Sequence, residues 1–146
     1  MPIVNIKSSI AAGIADPARA RGERFGSIDS VSNLITDSVG SKYLLTTLPS
    51  ECVLLPQTYF KVDLWGYADI RIGTFTDPAA LVSVTRIAGA NVNPLVFGDA
   101  KFNRALWQQL GLAADPGGEI GIYAHGSVAV PTAAGNMPFF FDWLFR

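Results

Sequence analysis

The sequence predicts a mainly β protein: an antiparallel β-sandwich of the jelly-roll type, with one short helix and an extended N-terminal arm. Three observations lead there. From about residue 40 onward, short apolar stretches recur between breaks containing Gly or Pro, as expected of strands with one buried face. The segment from Asp99 to Gly111 changes period, with Phe102, Leu106 and Leu110 spaced by four, which is helical spacing. The N-terminal stretch carries scattered apolar residues without sustained period. The chain therefore divides into an arm over residues 1–39 and a body over residues 40–146.

In the arm, Asp16-Pro17 can open a short helix that Gly22 would end, with Pro17 at its first position. A segment this long without a strong element of its own is either disordered or orders on a partner. Its apolar residues favour the second reading. Ile6, Ile10, Ile14 and Phe25, together with Arg19, Arg21 and Arg24, are the candidate contact residues, the arginines being suited to carboxylates on a partner. Plain solvation of a loop explains the arginines as well. A weak strand signal runs from Ser27 to Ile35, before a turn cluster over Asp37–Ser41.

In the body, Lys42–Leu48 reads as a strand stopped by Pro49, and Val53–Leu55 as a short one ending at Pro56. The stretch Phe60–Gly73 reads as two strands meeting at a tight turn around Gly66. Ala68, Ile70 and Ile72 fall on one side of the second strand, and Tyr67, Asp69 and Arg71 on the other. Leu81–Ile87 is a further strand, although the Asp77-Pro78 start also permits a helical turn. The helix over Asp99–Gly111 is capped by Asp99 and ended by Gly111 in the left-handed conformation. Asp115-Pro116-Gly117-Gly118 is a turn, Glu119–Ala124 a strand, a further strand can run through Val128 and Val130, and the aromatic run Phe139–Phe145 forms the last strand. A C-terminal run this apolar must dock in a sheet.

The 146 residues suffice for one domain with a real core. Charged residues make up 16% against 49% apolar, a shortage of charge that points to apolar surface covered by another chain. Net charge is −1, so the chain as a whole has no electrostatic footprint for nucleic acid. No apolar run approaches a membrane span, and no basic region followed by an apolar stretch opens the chain, which places synthesis and assembly in the cytoplasm. The single Cys52, set in Glu51-Cys52-Val53-Leu54-Leu55, reads as a buried inert thiol.

The pattern supplies no catalytic constellation, and neither a metal nor a cofactor is expected. His125 is the single histidine, which excludes a multi-histidine metal site. The acids Asp63, Asp69, Asp99, Asp115 and Glu119 are scattered, and any such set yields a pair. No phosphate loop or dinucleotide fingerprint is present. Among the aromatics, Ile120 and Ile122 are joined in the expected core by Phe140 and Trp107. Trp65 and Tyr67 on one strand face, with Arg71 alongside, form a candidate oligomer or ligand face. Core packing is the commoner fate of such rings.

Gly40-Ser41-Lys42-Tyr43 through Leu48-Pro49-Ser50, Ala68–Gly73, Leu95-Val96-Phe97, Leu106–Leu112 with Asp115-Pro116, and Thr132-Ala133-Ala134-Gly135 occur in an order that resembles small virion proteins of tailed phages. The resemblance spans residues 20 to 146 at the level of pattern; those chains often end in a smoother, Val-rich strand. It implies a jelly-roll cement or decoration protein on the outside of a phage capsid. Its partners would be the major capsid protein and itself, as a homodimer or trimer, with no nucleic acid and no membrane. The body would dimerise through a strand face while the arm lies along neighbouring capsid subunits. The alternative is a carbohydrate-binding module of a tail or head fibre, using Trp65 and Tyr67.

Overall fold

The structure, a computed structural model, describes residues 3, 5–7, 24–86, 91–95, 98–126 and 129–145. The expected sandwich is observed. One sheet has five strands in the order β1 (Asn5–Lys7), β3 (Ser41–Pro49), β8 (Glu119–Gly126), β6 (Asp69–Gly73) and β7 (Val82–Thr85). The other runs β2 (Arg24–Asn33), β9 (Gly135–Leu144) and β4 (Val53–Leu54), with β5 (Tyr59–Phe60) also paired to β9. Every pairing is antiparallel except β1 with β3.

The aromatic C-terminal run is the spine of its sheet. Met137, Phe139, Phe141 and Trp143 of β9 alternate into the core, while Pro138, Phe140 and Leu144 are only partly covered. Phe60 and Phe139 both meet the Phe141 ring edge to face, with centroids 5.4 Å apart in each case, the geometry that ring quadrupoles favour. From the opposite sheet, Leu45, Leu48, Ile70, Ile72, Ile120 and Ile122 close the same core. Leu45 sits at a shift in the β3–β8 register between Leu44 and Thr46, and the bulge lets it remain fully buried.

Four expectations change. Residues 24–33 do not belong to an arm: β2 is paired with β9 along its whole length, which moves the start of the body back to Arg24. Phe60–Gly73 is not a hairpin. β5 lies in the four-stranded sheet and β6 in the five-stranded one, so the stretch crosses the sandwich through a 3₁₀ turn over Val62–Leu64. Gly66 is required there by close approach rather than by a turn. A Cβ on it would fall 2.2 Å from the Ala133 carbonyl oxygen and 2.4 Å from the Asn33 amide.

The helix is shorter than its spacing predicts. It covers α1 (Leu106–Gln109), because Asn103 adopts a left-handed φ of 62° and breaks the path from Asp99. Asp99 instead caps a turn, accepting from the Lys101 N–H at 3.2 Å, while Gly111 ends the helix at φ 78° as expected. Finally, Phe140 is half-buried at the surface rather than in the core, and Trp107 is half-buried but packs against the edge of the core. Val128 and Ile87 lie outside the described residues, and Val130 lies in an exposed connection.

Candidate functional site

Trp65 and Tyr67 do not form an outward face. They are 1% and 2% exposed, because the crossing segment turns both rings inward against Tyr43. Tyr43 meets Trp65 edge-on at 5.0 Å and Tyr67 at 6.1 Å. The Tyr43 hydroxyl donates to the buried Asp37 carboxylate and lies 3.0 Å from the Tyr67 hydroxyl. Burial first, then the bond to Asp37, raises the Tyr43 phenol well above its ordinary value, and burial raises Tyr67 too. Asp37 also accepts from the Leu34 N–H at 3.0 Å, so this polar cluster ties the β2–β3 turn to the core.

The remaining reactive groups are likewise committed to structure. His125 is 3% exposed inside β8, its Nε2 2.7 Å from the Thr74 carbonyl oxygen, and burial holds its pKa below the ordinary value. Cys52 is buried, as expected. Gln109 is fully buried. Its amide accepts from the Leu54 N–H at 3.2 Å and donates to the Leu54 carbonyl at 3.3 Å, acting as a surrogate strand partner for β4. A shallow hollow of about 250 Å³ beside Ser50, Asp115 and Phe145 is smaller than a usual small-molecule site. Asp115 there is held below its usual range by hydrogen bonds from Ser50 and the Gly117 N–H.

The outer faces of the two sheets differ. On the four-stranded sheet, Arg24 grips Asp142 with Nε 2.8 Å from Oδ1 and a terminal nitrogen 2.5 Å from Oδ2. A second bond from Arg24 reaches Gln57 at 2.7 Å. Phe25, on the inner side, stacks on Trp143 at 4.7 Å. Both residues, expected to contact a capsid, are therefore engaged within the body. Beside the Arg24–Asp142 pair, Ile28, Phe140 and Tyr59 stand opposite one another across β2, β9 and β5. Opposed residues share a face, so these form an apolar row in which Ile28 is 78% exposed.

On the five-stranded sheet the row consists of Lys42, His125, Arg71 and Ser83. Arg71 thus projects outward, and the alternation of β6 buries Ile70 and Ile72. A third exposed group, Leu34, Ile35 and Val39, clusters around the β2–β3 turn. Of the other expected contact residues, Ile6 lies in β1, while Ile10, Ile14, Arg19 and Arg21 lie outside the described residues. Lys42 and Ile28 were legible as outward positions only once register was known. Neither stands in a clean alternation: Tyr43, Leu44, Leu45 and Thr46 after Lys42 are all buried.

No protein-family model and no curated protein sequence matches the chain. Among solved structures, a chain of the capsid of Ralstonia phage GP4 superposes with a TM-score of 0.65 at 17% identity. The match covers 98% of this chain and 99% of that one. At this identity the likeness establishes a shared fold over the whole length of both chains.

Proposed function

We propose that this chain is a structural protein of a phage capsid, a cement or decoration protein that binds the outside of the shell. The observation that carries the reading is the end-to-end fold likeness to a chain of the Ralstonia phage GP4 capsid. The chemistry of the chain agrees with it. His125, Asp37, Asp142 and Gln109 are all spent on internal bonds, whereas apolar side chains such as Ile28, Leu34 and Ile35 are exposed, as on surfaces that meet a partner. Burial of Trp65 and Tyr67 removes the rings on which a carbohydrate reading depended.

The mechanism is cross-linking by area and valency. Residues 8–23, with Ile10, Ile14, Arg19 and Arg21, lie along neighbouring shell subunits, and the body, to which Ile6 belongs through β1, supplies the rigid anchor as a homo-oligomer. A modest apolar contact contributes ~25 cal/mol per Å², less the cost of ordering the segment. Tethering two contacts on one chain raises the effective concentration of the second, and repetition over the shell multiplies the effect.

Copy number in purified virions, measured by quantitative mass spectrometry against the major capsid protein, tests this. A shell cement is expected at hundreds of copies per particle. A dozen or fewer would place the chain at a tail or fibre, and absence from the particle would overturn the assignment.

A further inference from the structure

Lys42 in β3 stands opposite His125 in β8, His125 opposite Arg71 in β6, and Arg71 opposite Ser83 in β7. Neighbouring strands lie about 4.8 Å apart, so Lys42 and Arg71 emerge about 10 Å apart on one outer face. His125 between them is turned to the Thr74 carbonyl, and burial lowers its pKa. The Lys42 ammonium lies 4.8 Å from the centroid of Phe75, itself 54% exposed. The result is a face with two cations and an accessible aromatic ring.

Arg71 is unlike Arg24. Arg24 closes a two-pronged ion pair with Asp142, whereas Arg71 has its Nε buried with no hydrogen-bond partner among the described residues. Asp69, two residues earlier on the same face, forms no ion pair with it among the described residues. Asp77, which faces His125 electrostatically, directs its Oδ1 to the Ala79 N–H. The Nε itself is out of reach of another chain, but Arg71 as a residue is only partly buried, and the paired terminal amines at the outer end of a guanidinium match a carboxylate.

We infer that Arg71, supported by Lys42, is a carboxylate-binding site, and that its occupant is an Asp or Glu side chain of the neighbouring shell protein. This rests on the proposed capsid role and names the contact that role lacks. A protein carboxylate fits better than a polyanion. The chain carries a net charge of −1 and has no field to gather contiguous phosphates, while the exposed Phe75 under Lys42 adds apolar area of the kind a protein partner covers. Ser83 is exposed and directly opposite Arg71 on β7, so no bulky or charged side chain faces Arg71 from that strand.

The test is binding of the full chain to shells of the cognate phage assembled without it, measured across a salt series. R71Q is expected to bind at least about tenfold more weakly and to lose part of the salt dependence of the wild type. R71K, which keeps the charge and loses the fork, falls between them. S83E, which places an internal carboxylate opposite Arg71, is expected to weaken binding while raising the thermal midpoint, and that rise should vanish in the R71Q/S83E double variant. Should R71Q fold poorly, R71K and S83E carry the same comparison. Equal affinity and equal salt dependence for wild type and these variants would overturn the site alone. Failure of the wild type to bind shells would overturn the capsid reading and this occupant with it.

Discussion

Replacing Trp65 by Ala distinguishes a surface ring from a core ring, and the structure fixes the size of the effect. Trp65 is 1% exposed, so nearly its whole side chain is removed from water on folding. An aromatic side chain buries on the order of 200 Å², and at ~25 cal/mol per Å² this is about 5 kcal/mol, of which the Ala methyl retains about 1. Losing the edge-on contact with Tyr43 at 5.0 Å adds ~0.5–1.5 kcal/mol. The sum, about 4.5–5.5 kcal/mol, lies at the top of the ~3–5 typical of large aromatic-to-Ala changes in cores. For a domain of this size that lowers the thermal midpoint by about 10–20 °C, and it is a large part of a total stability of ~5–15 kcal/mol. Thermal and urea unfolding of the purified W65A protein reads this directly, with W65F, which keeps a ring against Tyr43, losing less than half as much. A W65A midpoint equal to that of the wild type would refute the inward placement of the crossing segment and reopen Trp65 as a surface residue.

Gly66→Ala should cost more than an ordinary surface substitution, because its methyl would meet the Ala133 carbonyl and the Asn33 amide; overpacking of ~1–3 kcal/mol or more is expected as a lowered urea midpoint. Stability should fall as pH drops below about 6.5. The folded pKa of His125 is depressed, so the unfolded chain binds the proton first, and H125Q should flatten that limb of the pH–stability curve. Removing residues 1–23 takes away β1, a three-residue edge strand beside β3, and should lower the thermal midpoint yet leave a folded body, because Arg24 and Phe25 keep their Asp142 and Trp143 partners. The truncated chain should no longer pellet with shells, and co-sedimentation equal to the full chain would end the role of that segment.

What the sequence shows and hides follows from where the deciding contact lies. β6 and β8 were legible from alternation, β3 from β-compatible residues stopped by Pro49, and β9 from its aromatic run, all of them local signals. β2 was read as arm because its inward positions include Ser27 and Asp29 beside Phe25 and Val31, and its one exposed large apolar residue, Ile28, points outward. The strand exists because β9, more than a hundred residues away, pairs with it along ten positions. Gly66 looked like a turn because a glycine between two apolar runs commonly is one. Its actual reason, the lack of room beside Ala133 and Asn33, is tertiary. The helix over Asp99–Gly111 was overextended for a related reason: spacing by four reports a shared face, while the left-handed Asn103 and the demands of Gln109 on β4 decide where the helix begins.

The same distinction separates the two arginines of the outer faces. In sequence, Arg24 and Arg71 are equivalent: each lies in or next to a stretch with apolar alternation, and neither has a carboxylate at a spacing that guarantees a pair. Folding gives Arg24 the oxygens of Asp142, 118 positions away, whereas Arg71 stands in register with His125 and Ser83 and forms no ion pair among the described residues. A guanidinium with an internal partner pins β2 to β9 and has little left to offer another chain. One whose Nε is already withdrawn from water has lost part of its hydration in the free protein, so a carboxylate of another chain at its outer end has less desolvation to offset. For a protein whose proposed work is to hold others together, the informative side chains are thus those that folding leaves unpaired, and Arg71 is the one on which the shell contact turns.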